Sequence, residues 1–263
     1  MKGVLIDLDG VIWENDKVVL GAAETIAWLK EKAIPYLFVT NTTSKPRRLI
    51  AEKLIRLGID VDVDELLTPP IAAALWLTQH APGPAALLVP DATLEDFANI
   101  PNAELDHTGG LAAVVIGDIG EAWTYKILND AFRQLMVSDP PQLVALGMTR
   151  YWRASDGLRL DVAPFIKALE YAACCQAVVL GKPSAAFFDI ALQQIGCVPI
   201  DTIMIGDDVL VDVLGAQEAG MQGFLTRTGK FRPHDLDAGI MPDALLNSIA
   251  DLPKWLSADN QTP

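Results

Sequence analysis

Short apolar runs alternate with stretches of helical period along most of this 263-residue chain, and four of the runs stop at residues able to do chemistry. Val4-Leu5-Ile6 ends in Asp7 and, two positions on, Asp9. PYLFVT (35–40) ends in Thr40 and Asn41; AVVL (177–180) leads through Gly181 to Lys182; TIMIG (202–206) leads to Asp207 and Asp208. The intervening stretches have the spacing of helices. Ile26, Leu29 and Ala33 recur at one helical face within 24–33, Ile50, Leu54 and Leu57 recur before Gly58, and Phe188, Ala191, Leu192 and Ile195 recur before Gly196. Short apolar strands alternating with amphipathic helices predict an α/β fold with a doubly wound parallel sheet. In such sheets the carboxyl ends of the strands share one edge, where ligands bind. The alternation therefore predicts that the four polar strand ends meet.

The middle of the chain has a pattern of its own. APGP (81–84) is strong punctuation, followed by strand-like AALLV, the acidic turn PDATLED, strand-like AAVVIGD (112–118) and QLVALG (142–147), and helical spacing over 125–136 and 163–173. We therefore expect a discontinuous core, 1–80 plus 178–263, with a smaller α/β domain inserted over 81–177.

Charge narrows the partners. Twenty Lys and Arg against 34 Asp and Glu leave a net charge of −14, which repels nucleic acid backbones and anionic membrane surfaces, so neither is expected as a partner. The apolar stretch after Lys2 is broken by Asp7 and Asp9, and IAAALWL (71–77) is far short of a span, so no signal peptide or membrane segment is expected. Three cysteines, an odd count with Cys174 and Cys175 adjacent, suit a reduced, cytoplasmic protein. His80, His107 and His234 are not spaced with a cysteine as zinc ligands.

The same acidity poses a local problem at the predicted sheet edge. Asp7, Asp9, Asp207, Asp208 and Asp212, one helical turn beyond Asp208, would crowd around one crevice. Like charges that close raise each other's pKa or require a cation. A hard divalent ion with oxygen ligands, most simply Mg²⁺, resolves the repulsion and leaves Lys182 to attract an anion.

Taken in order, DLDGV (7–11), VTN (39–41), GKP (181–183) and GDDVLVD (206–212) resemble the four motifs of the haloacid dehalogenase superfamily of phosphohydrolases. The long insertion between the second and third motifs is similar to the C2-type α/β cap of that superfamily. VTNTT, RYWRASDGL (150–158), GKPSAAFFDIAL and MIGDDVLVDVLGAQEAGM are most similar to the phospholysine phosphohistidine inorganic pyrophosphate phosphatase group. The resemblance implies a Rossmann-like core and Mg²⁺-dependent hydrolysis of a small phosphorylated metabolite through an aspartyl phosphate. It implies Asp7 as nucleophile, Asp9 as general acid and base, Thr40 and Asn41 on the phosphoryl oxygens, and Lys182 balancing charge. It also implies metal ligation by Asp7, the Asp9 carbonyl and Asp207, with Asp208 and Asp212 orienting metal-bound waters and Lys182, and a homodimer through the cap.

Two other readings share parts of this pattern. A phosphomutase uses the same covalent chemistry, but the mutases of the superfamily resemble a small helical cap placed soon after the first motif. A phosphoacceptor receiver resembles a single small sheet domain without Asp9 or a cap. One departure concerns the substrate: many C2-capped relatives carry Asn-Pro-Asp in the cap loop, whereas this chain has Gly147-Met148-Thr149-Arg150-Tyr151-Trp152. Arg150, Tyr151, Trp152, Arg153 and Asp156 form either a specificity loop or a solvated hairpin with a half-buried aromatic pair.

Overall fold

A computed structural model describes residues 3–107 and 109–259 of the chain. The opening apolar run forms the strand Gly3–Asp7, buried along its whole length. It pairs in parallel with Thr202–Gly206 on one side and Tyr36–Val39 on the other. Gln222–Thr226 and Ala244–Leu246 extend the sheet beyond the former, and Leu66–Leu67 extends it beyond the latter, every pairing parallel. Strands covered on both faces need continuous apolar side chains, which is why these runs show no polar alternation. Helices Ala22–Glu31 and Arg47–Arg56 bring Ile26, Leu29, Ile50 and Leu54 into one core with Ile6, Phe38, Ile205 and Phe224. Ala185–Ile195 packs along Tyr36–Val39 and stops at Gly196, whose left-handed φ of 65° ends the helix without a side-chain penalty. Successive strands step away from Gly3–Asp7 in one direction up to residue 67 and in the other direction from residue 202. The reversal puts a crevice at the carboxyl end of the first strand.

The chain divides into two compact units. One comprises Met1–Thr40, Arg48–Leu67 and Lys182–Pro263 and contains the six-stranded sheet; the other comprises Asn41–Arg47 and Thr68–Gly181. The second unit has its own parallel sheet, in the order Val178–Val179, Gln142–Ala145, Ala113–Ile116, Ala85–Leu88. Helices Tyr125–Leu135 and Val162–Ala173 supply Ala131, Leu135, Ile166 and Leu169 to a core shared with Val114, Ile116 and Leu143. Tyr151–Ala154 and Gly157–Leu160 form an antiparallel hairpin.

The division differs from the expected 1–80, 81–177 and 178–263 at three places, the first being Asn41–Arg47, which groups with the inserted unit. Helix Pro69–His80 groups with the inserted unit, where it packs against the 3₁₀ helix Asp91–Phe97. Val178–Val179 also belongs to the insert, because it adds to the edge of that sheet beside Val144 and Ala145. The expectation that four core strands end at the site is thereby corrected. Three do, and Lys182 follows a strand of the other sheet. Among the described residues no helix is long and apolar enough to cross a membrane.

Candidate active site

Three polar strand ends, Asp7, Thr40 and Asp207, lie at the carboxyl edge of the six-stranded sheet, and Lys182 opens the last segment of the same unit. Asp7 is 7% exposed and Lys182 is 6% exposed. The ammonium of Lys182 donates to Asp7 Oδ1 at 2.7 Å and to Asp212 Oδ1 at 2.7 Å. One lysine therefore spans two buried carboxylates. Thr40 is buried, and its N–H donates to the Leu67 carbonyl at 3.2 Å, which ties this strand end to the neighbouring strand.

The segment after Asp207 determines where Asp212 goes. Asp208 Oδ1 accepts from the N–H groups of Leu210 and Val211 at 3.0 and 3.1 Å and so caps a π-helical turn over Val209–Leu214. The Asp208 N–H in turn donates to Asp212 Oδ2 at 3.2 Å. Both oxygens of Asp212 are thus engaged, one by Lys182 and one by the backbone. The Asp208 side chain is drawn into the cap, with Oδ2 3.8 Å from Lys230 Nζ, and its link to Lys182 runs through its own N–H and Asp212.

Asp207 is 1% exposed. Its Oδ2 accepts from the Lys230 N–H at 2.7 Å, while Oδ1 is buried without a hydrogen-bond partner among the described residues. Two glycines allow this placement: Gly10 (φ 83°) and Gly229 (φ 69°) flank the carboxylate so closely that a Cβ on either would overlap Oδ2. Both φ values favour glycine independently. Gly229 is itself held by its N–H, which donates to Glu14 Oε1 at 2.5 Å.

Carboxylate oxygens of Asp7, Asp207 and Asp212 lie within 4.8 Å of one another. Burial pushes the Asp7 carboxyl up to about 7 against the pull of Lys182, and Asp212 and Asp207 push it the same way. Burial also raises Asp207, outweighing the Lys230 N–H. For Lys182, burial favours loss of the proton, but Asp212 and Asp7 outweigh it and keep the ammonium above the ordinary lysine range. Three carboxylates against one ammonium leave uncompensated negative charge in a buried site, and Asp207 Oδ1 meets no donor among the described residues. These residues fit a hard cation taking oxygen ligands, and the acidic cluster can hold a divalent metal.

Asp9 lies outside the strand. The chain turns sharply after Asp7, with the N–H groups of Ile12 and Trp13 both reaching the Leu8 carbonyl, so the extended geometry that would place Asp7 and Asp9 on one face stops at Asp7. Asp9 is exposed, and its Oδ1 accepts from Trp13 Nε1 at 2.7 Å. Asn41 belongs to the second unit, beside Gly181.

Arg150, Tyr151, Trp152, Arg153 and Asp156 lie on or beside the hairpin of the second unit. Arg150 stacks over Tyr151 at 5.8 Å, and Asp156 is paired with Arg159 at 2.7 Å across the turn. Trp152, Asp156 and Arg159 line a cavity of about 370 Å³ with Asp118, Glu121 and Phe165. Sequence reasoning missed Gly10, Trp13, Glu14, Gly229 and Lys230. Only Gly10, adjoining Asp9, carried a local signal.

A sequence profile described as haloacid dehalogenase-like hydrolase matches residues 4–100, and a second, described as HAD-hydrolase-like, matches residues 179–252. Phospholysine phosphohistidine inorganic pyrophosphate phosphatase of Bos taurus is 42% identical over 239 residues, covering 89% of this chain and 86% of that protein. Haloacid dehalogenase-like hydrolase domain-containing protein 2 of Bos taurus is 43% identical over 237 residues, covering 90% of this chain and 88% of that protein. Among solved structures, p-nitrophenyl phosphatase from Archaeoglobus fulgidus is similar with a TM-score of 0.85 at 26% identity, over 97% of this chain and 98% of that one.

Proposed function

The chain belongs to the haloacid dehalogenase-like hydrolases, and from that membership we propose that it is a Mg²⁺-dependent phosphatase that cleaves small phosphorylated molecules through an aspartyl phosphate. The observation that carries this reading is the buried Asp7 carboxylate, gripped by Lys182 beside an Asp207 oxygen that has no hydrogen-bond partner among the described residues. Asp7, Asp207 and the Asp9 carbonyl would hold the cation, with Asp212 fixed in place by Lys182 and the Asp208 N–H. When bound, the ion supplies positive charge that keeps Asp7 ionised and offsets the charge of the phosphoryl group.

The residues of the chain then divide the work. An Asp7 oxygen attacks phosphorus, and the bond from phosphorus to the leaving oxygen breaks as Asp9 donates a proton to that oxygen. Asp9, now a carboxylate, takes a proton from water as the water attacks phosphorus; the bond to Asp7 breaks, orthophosphate leaves and both aspartates are restored. Lys182 stays protonated throughout and neutralises charge on Asp7 and the phosphoryl oxygens, while Thr40 and Asn41 donate hydrogen bonds to those oxygens. Water is the final acceptor. Phosphomonoesters, phosphoamino acids and pyrophosphate are the substrate classes, in keeping with the name of the Bos taurus phosphatase. Arg150, Tyr151, Trp152, Arg153 and Asp156 discriminate among them. The face of the hairpin that carries Tyr151, Leu158 and Leu160, all exposed, suits contact with a second copy of the chain. The protein acts in the cytoplasm, as its unpaired cysteines suggest.

The test uses the purified chain with Mg²⁺ and 4-nitrophenyl phosphate. The wild type turns over continuously and stops in EDTA, whereas Asp9→Asn releases about one equivalent of 4-nitrophenol per chain and retains an acid-stable protein-bound phosphate, because nitrophenolate departs without a proton but water is not activated. Continuous wild-type turnover by Asp9→Asn would remove the assignment.

The raised Asp7 value sets a pH dependence for the metal-free protein. The folded state binds a proton that the unfolded state has released, so stability in EDTA falls as pH rises from about 4 to about 7. Mg²⁺ reverses the loss, and its stabilising effect grows over the same interval. Melting temperatures across that range, with and without Mg²⁺, check this; a Mg²⁺ effect independent of pH counts against Asp7 as ligand.

A further inference from the structure

We infer that Trp13 is the positioning residue that holds Asp9 in the orientation for proton transfer, an inference that rests on the acid and base role proposed for Asp9. Asp9 is an exposed side chain on a turn, and neither the strand nor the core fixes its rotamer. Proton transfer in two successive steps nevertheless requires its oxygens to be placed within a few tenths of an ångström. Trp13 reaches it: its Nε1–H donates to Asp9 Oδ1 at 2.7 Å, at the short end of the range for N–H···O bonds.

Trp13 is itself immobilised. It is 4% exposed, packed in the core of the first unit and starts the short hairpin formed with Lys17–Val18. Its carbonyl accepts from the Gly10 N–H at 2.7 Å and its N–H donates to the Leu8 carbonyl at 3.2 Å, so residue 13 closes the turn that carries Asp9 at both backbone and side chain. Lys53 Nζ sits 4.3 Å above the ring and donates to the Asn15 carbonyl at 3.1 Å, which pins the ring face and the hairpin turn together. The chemistry of indole suits this task. It donates one hydrogen bond, accepts none and does not titrate, so it orients the carboxylate without competing for its proton. With Oδ1 occupied, Oδ2 carries the proton to the leaving oxygen and later takes one from water.

The experiment compares Trp13→Phe, which keeps a ring in the core and deletes the N–H, with Asp9→Asn and the double variant. Phenyl phosphate, whose leaving group needs a proton, and 4-nitrophenyl phosphate, whose leaving group does not, separate proton transfer from general damage. For Trp13→Phe, kcat/KM falls about tenfold or more with phenyl phosphate and by less than about threefold with the nitrophenyl ester, and in the Asp9→Asn background, where only the single phosphorylation burst is read, adding Trp13→Phe leaves the burst rate unchanged. Equal losses with both esters overturn the proposal. Leaving-group dependence in Asp9→Asn with none in Trp13→Phe overturns it while sparing the reading of Asp9; no such dependence in either removes the acid role of Asp9 and the positioning role with it. A second readout needs no turnover: the indole N–H proton resonance that disappears in Trp13→Phe moves upfield in Asp9→Ala. An unmoved resonance shows that the bond is absent and overturns the proposal even if the protein hydrolyses neither ester.

Discussion

Asp7→Asn abolishes turnover, by a factor on the order of 10⁴ or more, and leaves the protein at least as stable as the wild type at neutral pH. The two halves of this expectation have different causes. Asparagine is nearly isosteric and its Oδ1 still accepts from Lys182, so packing at the end of Gly3–Asp7 is preserved, but an amide cannot attack phosphorus to give an acyl phosphate. Stability is retained because burial disfavours the ionised form of Asp7 in the metal-free fold, and a neutral side chain carries no such cost. Steady-state assays and thermal unfolding of the same preparation read both quantities. Slow deamidation of the variant back to Asp would appear as activity growing with time, so the assay is made on fresh protein. Retained turnover in fresh protein would remove Asp7 as the nucleophile.

Lys182→Met has the opposite balance, with a large loss of stability as well as of activity. Lys182 is the shared donor for Asp7 and Asp212 at 2.7 Å each, and its removal leaves two buried carboxylates facing one another. Breaking a buried ion pair from one side typically costs about 3–5 kcal/mol. The pH dependence follows from the sign of the perturbation. Without the ammonium Asp7 loses the pull that lowers its raised pKa and holds its proton still more tightly when folded than when unfolded, so the variant is most stable at low pH and loses stability as pH rises. Adding Asp212→Asn removes one of the stranded charges and recovers part of the stability, but turnover stays down by about 10²–10³ because the Lys182 ammonium no longer faces the phosphoryl group. Denaturant unfolding at two pH values and 4-nitrophenyl phosphate assays of the single and double variants measure these effects. Recovery of turnover in the double variant would reduce Lys182 to a structural counter-ion.

Much of the architecture was legible because it rests on local regularities. The apolar continuity of VLI, YLFV and TIMI marks strands buried on both faces, and the helices over 22–31, 47–56 and 185–195 follow from apolar residues at helical spacing with glycine at or just beyond two of their ends. The hairpin Trp13–Glu14 with Lys17–Val18 and the strands Leu66–Leu67 and Ala244–Leu246 escaped, since two or three residues have no period to detect. Val178–Val179 was legible as a strand but not as a member of one sheet rather than the other. An apolar pair of that length fits either edge, and only its register with Val144 and Ala145 decides.

For the site, the sequence alone determined which residue types are present and in what order: two aspartates two apart after the first strand, a lysine before a proline, and a run of acids after TIMIG. Those are properties of neighbours along the chain. The tertiary structure decided what each of them touches. Lys182 reaches across 175 residues of sequence to Asp7, Asp208 turns away to cap the π-helical turn while Asp212 takes its place beside the lysine, Asp207 is admitted only because Gly10 and Gly229 lack a Cβ, and Asp9 is gripped by an indole from the next hairpin. Partners of this kind are selected by packing, directional hydrogen bonds and the avoidance of unpaired buried charge. All three act between segments distant in sequence, and no local pattern of residues records them.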